Sequence, residues 1–151
     1  MTHQPDVIFV RRARPDDDHV MTHHLALARS EATSYRGSLI STMNTDLDTR
    51  FVAGVGDTVF GSLAVRCVNE HSWTITHVFV EPVAREVGIG DALILHCLQY
   101  LRDLGAHWVG AQALPGDRAM KNLFERHGLV AQTIIVGKSL SDPSTGVDAS
   151  Q

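Results

Sequence analysis

Arg85, Gly88 and Gly90 stand where a β-like run gives way to a helix-like one. Residues 78–93 read Val-Phe-Val-Glu-Pro-Val-Ala-Arg-Glu-Val-Gly-Ile-Gly-Asp-Ala-Leu. Two glycines there let the backbone approach a ligand with no Cβ in the way. Free N–H groups at the start of a helix, added to its dipole, make an anion site suited to phosphate. Arg85 adds a cation at the mouth of that turn. Two other phosphate motifs do not fit. No Lys-Ser or Lys-Thr follows Gly90, as a P-loop requires, and Leu93 stands where a dinucleotide fingerprint needs its third glycine. Taken alone, a G-x-G more often marks a plain strand-to-helix turn than a ligand site.

The elements that must position this turn follow from local pattern. Residues 7–11 read as a strand that Ala13-Arg14-Pro15 ends, and Asp16, Asp17 and Asp18 supply the negative charge that favours the start of a helix over 16–30. Gly37 breaks or bends anything helical beyond it. Runs at 51–55, 58–68 and 73–80 are β-rich and separated by short turns, the first being Gly56-Asp57. They predict an antiparallel meander. Residues 91–104 form an apolar helix closed by Gly105, with apolar residues on enough sides to be buried on more than one face. A strand at 107–114 completes a βαβ unit, so it should run parallel to 73–80. Asp117 caps a helix to about His127, Gly128 ends it, and 131–136 reads as a last strand. The fold class is α/β with a mixed, mostly antiparallel sheet.

Composition narrows the class. The chain has 151 residues, 44% hydrophobic and 20% charged, which suits one domain with its own core. Residues 1–140 are expected to form that domain, and the polar run 141–151 a flexible tail. A net charge of −4 offers no general attraction to nucleic acid or anionic lipid. No apolar stretch is long enough to span a membrane, and the first residues lack an export pattern, so a cytoplasmic protein is expected. Cys67 and Cys97, both in apolar runs, are expected buried and reduced.

The V-x-V-x-P strand end followed by R-x-x-G-x-G resembles the acyl-CoA-binding motif of the GNAT superfamily of N-acyltransferases. Residues 113–129, with Asp117, Phe124 and Gly128-Leu129, are similar to that family's later motif. The likeness covers about 7–137. It implies a sheet splayed between strands 73–80 and 107–114, with acyl-CoA, acetyl-CoA foremost, in the slot. Val78, Phe79 and Val80 would hold the pantetheine through their backbone. Arg85, Glu86, Val87, Gly88, Ile89, Gly90 and Asp91 would wrap the pyrophosphate, and Asp117 and Phe124 would flank the arm.

Two positions depart from the resemblance. Asp117 replaces a common Asn, and Phe124 replaces a Tyr often credited with protonating the leaving thiolate. The family's usual strand glutamate falls on Thr74 or Thr76, neither of which is a base. His77 is the nearest titratable neighbour, with an ordinary pKa of about 6.5. Strict alternation sets it on the opposite face from Val78, although a bulge would change that. Glu31 is a second catalytic candidate, and Glu31, Tyr35 and Arg36 are candidate acceptor contacts. Phe124 also reads as a core aromatic, Glu81 as a loop carboxylate and His127 as a helix-end cation. Adjacent His23 and His24 cannot line one face, and no metal-ligand spacing is present.

The reaction expected is acyl transfer from acyl-CoA to an amine of a small molecule or a protein, by a monomer or homodimer without metal. The competing reading is a non-catalytic acyl-CoA sensor.

Overall fold

The computed structural model describes residues 7–141, so most of the expected tail, from 142 onward, lies outside the described residues. The order is β1 (Ile8–Arg12), α1 (Asp18–Ala32), β2 (Thr49–Val55), β3 (Thr58–Asn69), β4 (Ser72–Val80), α2 (Ile89–Asp103), β5 (Trp108–Gly110) and α3 (Arg118–Arg126). The five strands lie side by side in sequence order. All neighbours are antiparallel except β4 and β5, which are parallel as the βαβ pattern requires.

Strand alternation divides the core into two layers. Phe51, Ala53, Leu63 and Val65 join a cluster with Ile89, Leu93, Ile94, Cys97, Leu98 and Leu101 of α2, and Leu123 and Phe124 of α3 close its end. Their neighbours Val52, Ser62 and Ala64 are buried too, on the face covered by α1, whose own buried residues are Met21 and His24. Ahead of α1, Pro15–Asp17 makes a single 3-10 turn. The Asp17 carboxylate accepts from Arg11 at 2.6 and 3.1 Å and from the Arg14 amide at 2.7 Å. The Arg11 hydrogen bond holds this carboxyl below its ordinary pKa.

Several expectations need correction. Residues 131–136 form no strand: Ile134, Ile135 and Val136 are 85%, 70% and 88% exposed. β propensity alone does not make a strand, because an extended segment needs a partner for its ladder. β5 spans only Trp108–Gly110 instead of 107–114. The Gln112 side chain instead accepts from the Ile40 amide at 2.5 Å, tying this stretch to the segment after α1. Helix α2 buries one broad face rather than several, leaving Leu95, and Leu104 just past its end, more than half exposed. Cys67 is exposed, near the end of β3 where the register slips between Cys67 and Asn69. No helix among the described residues is long and apolar enough to cross a membrane.

Candidate functional site

Strands β4 and β5 pair only from Ser72–Trp108 to Thr74–Gly110, and then separate. Beyond Thr74, β4 pairs with β3 alone, so its other edge carries backbone groups unused by the sheet. The register with β3 slips between Ala64 and Val65, where Ala64 faces His77 and Val65 faces Ile75. Thr76 is the extra residue of this bulge. Ile75 and Val78 therefore both reach the α2-side core, while His77 and Phe79 turn to the α1 side, where each touches a partner there.

After β4, a 3-10 turn over Pro82–Ala84 leads to the glycine turn. Glu86 and Gly88 both adopt left-handed backbone, with φ of 69° and 95°. Gly88 is the N-cap of α2 and brings no side-chain cap. The first α2 hydrogen bond donated to it comes from the Ala92 amide at 3.0 Å. The amides of Ile89, Gly90 and Asp91 thus face outward from a helix start, the arrangement that attracts an anion. Ile89 itself is buried, and its side chain anchors the turn to the core.

Asp91 would set a negative charge beside that anion site, but it is matched. Arg126 donates to its two oxygens at 3.1 and 3.3 Å, and His127 lies 2.7 Å away. These partners, Arg126 first, hold its carboxyl below the ordinary pKa. His127 does sit at the end of α3, yet its ring serves to link α3 to α2. A surface cavity of about 480 Å³ lies along α3, lined by Asn122, Glu125 and Arg126.

Arg85 is directed away from the turn. Its Nε donates to the Val80 carbonyl at 2.7 Å, and Nη2 donates to both Glu31 oxygens at 2.8 and 2.9 Å. Its guanidinium lies 5.3 Å from the Phe79 ring centre. Glu31 is therefore occupied by Arg85 at the end of α1. Asp117 caps α3, accepting from the Met120 amide at 3.1 Å. Phe124 is 6% exposed and belongs to the core.

The segment 33–48 crosses from α1 toward the β5–α3 connection. A Cβ on Gly116 would stand 3.6 Å from the Tyr35 ring, and one on Gly37 would stand 3.9 Å from Pro115. Arg36 is exposed beside them. The far end of the segment is pinned by Asp48, whose side chain is fully buried. It accepts from Arg66 at 2.6 Å and from Thr76 at 2.7 Å.

Sequence reasoning named His77 as a candidate but not the cluster it belongs to. Glu81 lies 2.8 Å from His24 Nε2, His24 Nδ1 lies 2.8 Å from Ser62 Oγ, and Ser62 Oγ lies 2.8 Å from His77 Nε2. His24 and Ser62 are fully buried, and Glu81 is partly exposed at 28%. Burial pushes the His77 imidazole from 6.5 down to about 4, with nearby His24 acting in the same direction and Asp48 opposing it. The one signal available was polar residues at 24, 62 and 77 within otherwise apolar surroundings.

The fold that carries this site is a five-stranded, mostly antiparallel sheet flanked by helices, parting between β4 and β5 beside a helix start with no side-chain cap. The description "Acetyltransferase (GNAT) family" fits residues 16–129, and the chain belongs to that family. By that membership it is an acetyltransferase of the GNAT type. It is similar to an aminoglycoside acetyltransferase from an uncultured soil metagenomic sample in complex with sisomicin, at 17% identity and TM-score 0.68, covering 89% of this chain and 95% of that one. The aminoglycoside N-acetyltransferase AAC(6')-Iy in complex with CoA is similar at 12% identity and TM-score 0.65, over 93% and 100% of the two chains. A ribosomal-protein-alanine N-acetyltransferase from Brucella melitensis biovar Abortus 2308 is similar at 14% identity and TM-score 0.67, over 90% and 99%. No curated protein matches the chain by sequence.

Proposed function

We propose that this protein transfers an acyl group, acetyl foremost, from acyl-CoA to the amine of a small molecule by direct attack on the thioester. The observation that carries the reading is the free β4 edge running into the uncapped start of α2. Pantetheine would lie along the backbone of Val78, Phe79 and Val80, and the pyrophosphate on the amides of 86–91. A β4 amide at Val78 or Phe79 would polarise the thioester carbonyl, where charge develops in the transition state. Holding both reactants in one slot supplies much of the acceleration.

The acceptor would enter between segment 33–48 and the β5–α3 connection, past Tyr35 and Arg36. Aminoglycoside acetyltransferases among the structural neighbours support a small polyamine-like acceptor. The amine must attack in its neutral form, so a route for its proton is needed. Phe124 supplies no acid for the departing sulfur. A thiol is far more acidic than an alcohol, so the sulfur can depart as thiolate and take its proton from water.

The core position of Phe124 favours a second reading, an acyl-CoA sensor without transfer. Thermal unfolding with CoA, acetyl-CoA and longer acyl-CoAs, followed by CoA release with a panel of amines, separates them. A ligand at 100 times its Kd adds about 2.7 kcal/mol. A shift plus amine-dependent release supports transfer. A shift with no release for any amine supports the sensor, and no shift overturns both.

A further inference from the structure

The buried chain of hydrogen bonds from His77 to Glu81 has a single direction. A carboxylate can only accept, so His24 carries its proton on Nε2 toward Glu81. Neutral His24 then accepts at Nδ1, and Ser62 donates its one hydroxyl proton there. Ser62 Oγ is left to accept from His77 Nε2. The lone pair that remains is on His77 Nδ1, which makes no hydrogen bond among the described residues. Yet no fully buried side-chain nitrogen or oxygen among them lacks a partner. His77, 6% exposed overall, is therefore not completely sealed at Nδ1, and it lies on the stretch of β4 beyond its pairing with β5.

We infer that His77, Ser62, His24 and Glu81 form a proton relay that takes the proton of the attacking amine at His77 Nδ1 and delivers it to the Glu81 end. The inference rests on the acyl-transfer reading above. As the amine nitrogen bonds to the thioester carbon and the C–S bond breaks, one N–H proton passes to His77 Nδ1. The Nε2 proton of His77 moves to Ser62, the Ser62 proton moves to His24 Nδ1, and His24 is left cationic 2.8 Å from the Glu81 carboxylate. Glu81, partly exposed, returns the proton to water. The CoA thiolate carries away the negative charge, so atoms and charge balance.

The surroundings suit a conduit better than a store. His77 faces His24 from α1, Ser62 from β3 and the Asp48 carboxylate from the segment before β2, with Arg66 neutralising Asp48. Burial keeps a proton from resting on His77, so the charge settles beside Glu81, where an anion and solvent can hold it. His77 is the end that meets the amine, and Ser62, His24 and Glu81 act through it as positioning residues.

The test is the pH dependence of kcat for the full chain and for Glu81→Gln, Ser62→Ala and His77→Asn, with acetyl-CoA and the best amine of the panel. Thermal shift with CoA is the binding control. Each variant should lose about tenfold or more in kcat while CoA still shifts its unfolding. In Glu81→Gln the acid limb of the profile should also move to lower pH, because the carboxylate that favours a proton at that end is gone. A purely structural role would leave that limb in place. If Ser62→Ala does not fold, partly exposed Glu81→Gln carries the test. Glu81→Gln with unchanged kcat and an unchanged profile overturns the relay alone. A wild type that binds CoA but acylates no amine overturns the transfer reading and the relay with it.

Discussion

Arg85 and Glu31 meet where the end of α1 passes the start of the glycine turn, one guanidinium nitrogen donating to both carboxylate oxygens at 2.8 and 2.9 Å. Their side chains are 42% and 44% exposed, so water and salt screen the attraction. Such pairs contribute about 0–1 kcal/mol. Glu31→Gln is therefore expected to shift stability by less than about 1 kcal/mol in urea unfolding, and by less still in high salt. A carboxylate tied up this way is also a poor general base. Turnover should stay within about threefold, whereas losing a true base costs about 10²–10⁴.

His77 makes folding depend on pH. Its imidazole titrates near 6.5 when unfolded and about 4 when folded. Between those values the unfolded chain binds a proton that the folded chain refuses, so stability falls as pH drops from 6.5 toward 4. The full loss is about 3 kcal/mol, and none is added below 4 from this group. Asp17 and Asp91 act in a separate window: their lowered pKa values give stability that is present above 3.8 and lost below it. Urea titrations from pH 7.5 to 3 should show both falls. His77→Asn should lack the upper one.

The parts of this protein that were legible in sequence are those fixed by neighbouring residues. Gly56-Asp57 turns β2 into β3, Gly105 ends α2, and Asp117 caps α3, each through its own backbone or a residue three places away. The parallel pairing of β4 and β5 was legible too, because a helix between two strands leaves little other choice. The relay was not. His77 keeps the face that alternation with Val78 assigns it, but His24 and Ser62 are 38 residues apart, and only the packing of α1 on the sheet brings them to it. Glu31 and Arg85 were assigned separately to acceptor and phosphate, and only tertiary packing shows that they hold each other. Residues 131–136 failed in the opposite direction, since their β pattern is strong but the described residues offer no ladder.

Gly88 and Gly90 should respond differently to the same added methyl. Gly88 has a φ of +95°, so Gly88→Ala strains the backbone although its Cβ would meet only Ile8, at 3.5 Å. A cost of about 1–2 kcal/mol is expected, with a weaker CoA-induced shift as the turn relaxes. At Gly90 the Cβ would face Leu123 at 3.3 Å and Val80 at 3.7 Å, toward the core and away from the outward amides. The Leu123 methyls are flexible ends, and alanine favours the helix by about 1 kcal/mol. Gly90→Ala is thus expected to leave both melting temperature and CoA binding nearly unchanged. Parallel thermal scans with and without CoA check the pair.

Phe124 decides whether the absent hydroxyl matters. The ring is 6% exposed and packs with Leu93, Leu123 and the rest of the α2-side cluster. Phe124→Ala should cost about 3–5 kcal/mol through the cavity it leaves. Phe124→Tyr places a hydroxyl in the same surroundings, and an unpaired one costs about 1–3 kcal/mol. A ring only 6% exposed leaves little room for a hydroxyl to meet a thiolate in the slot, so Phe124→Tyr is expected to lower the melting temperature without raising kcat. A gain of tenfold or more in CoA release would mean that the new hydroxyl reaches the sulfur. The ring would then have to leave its place in the core.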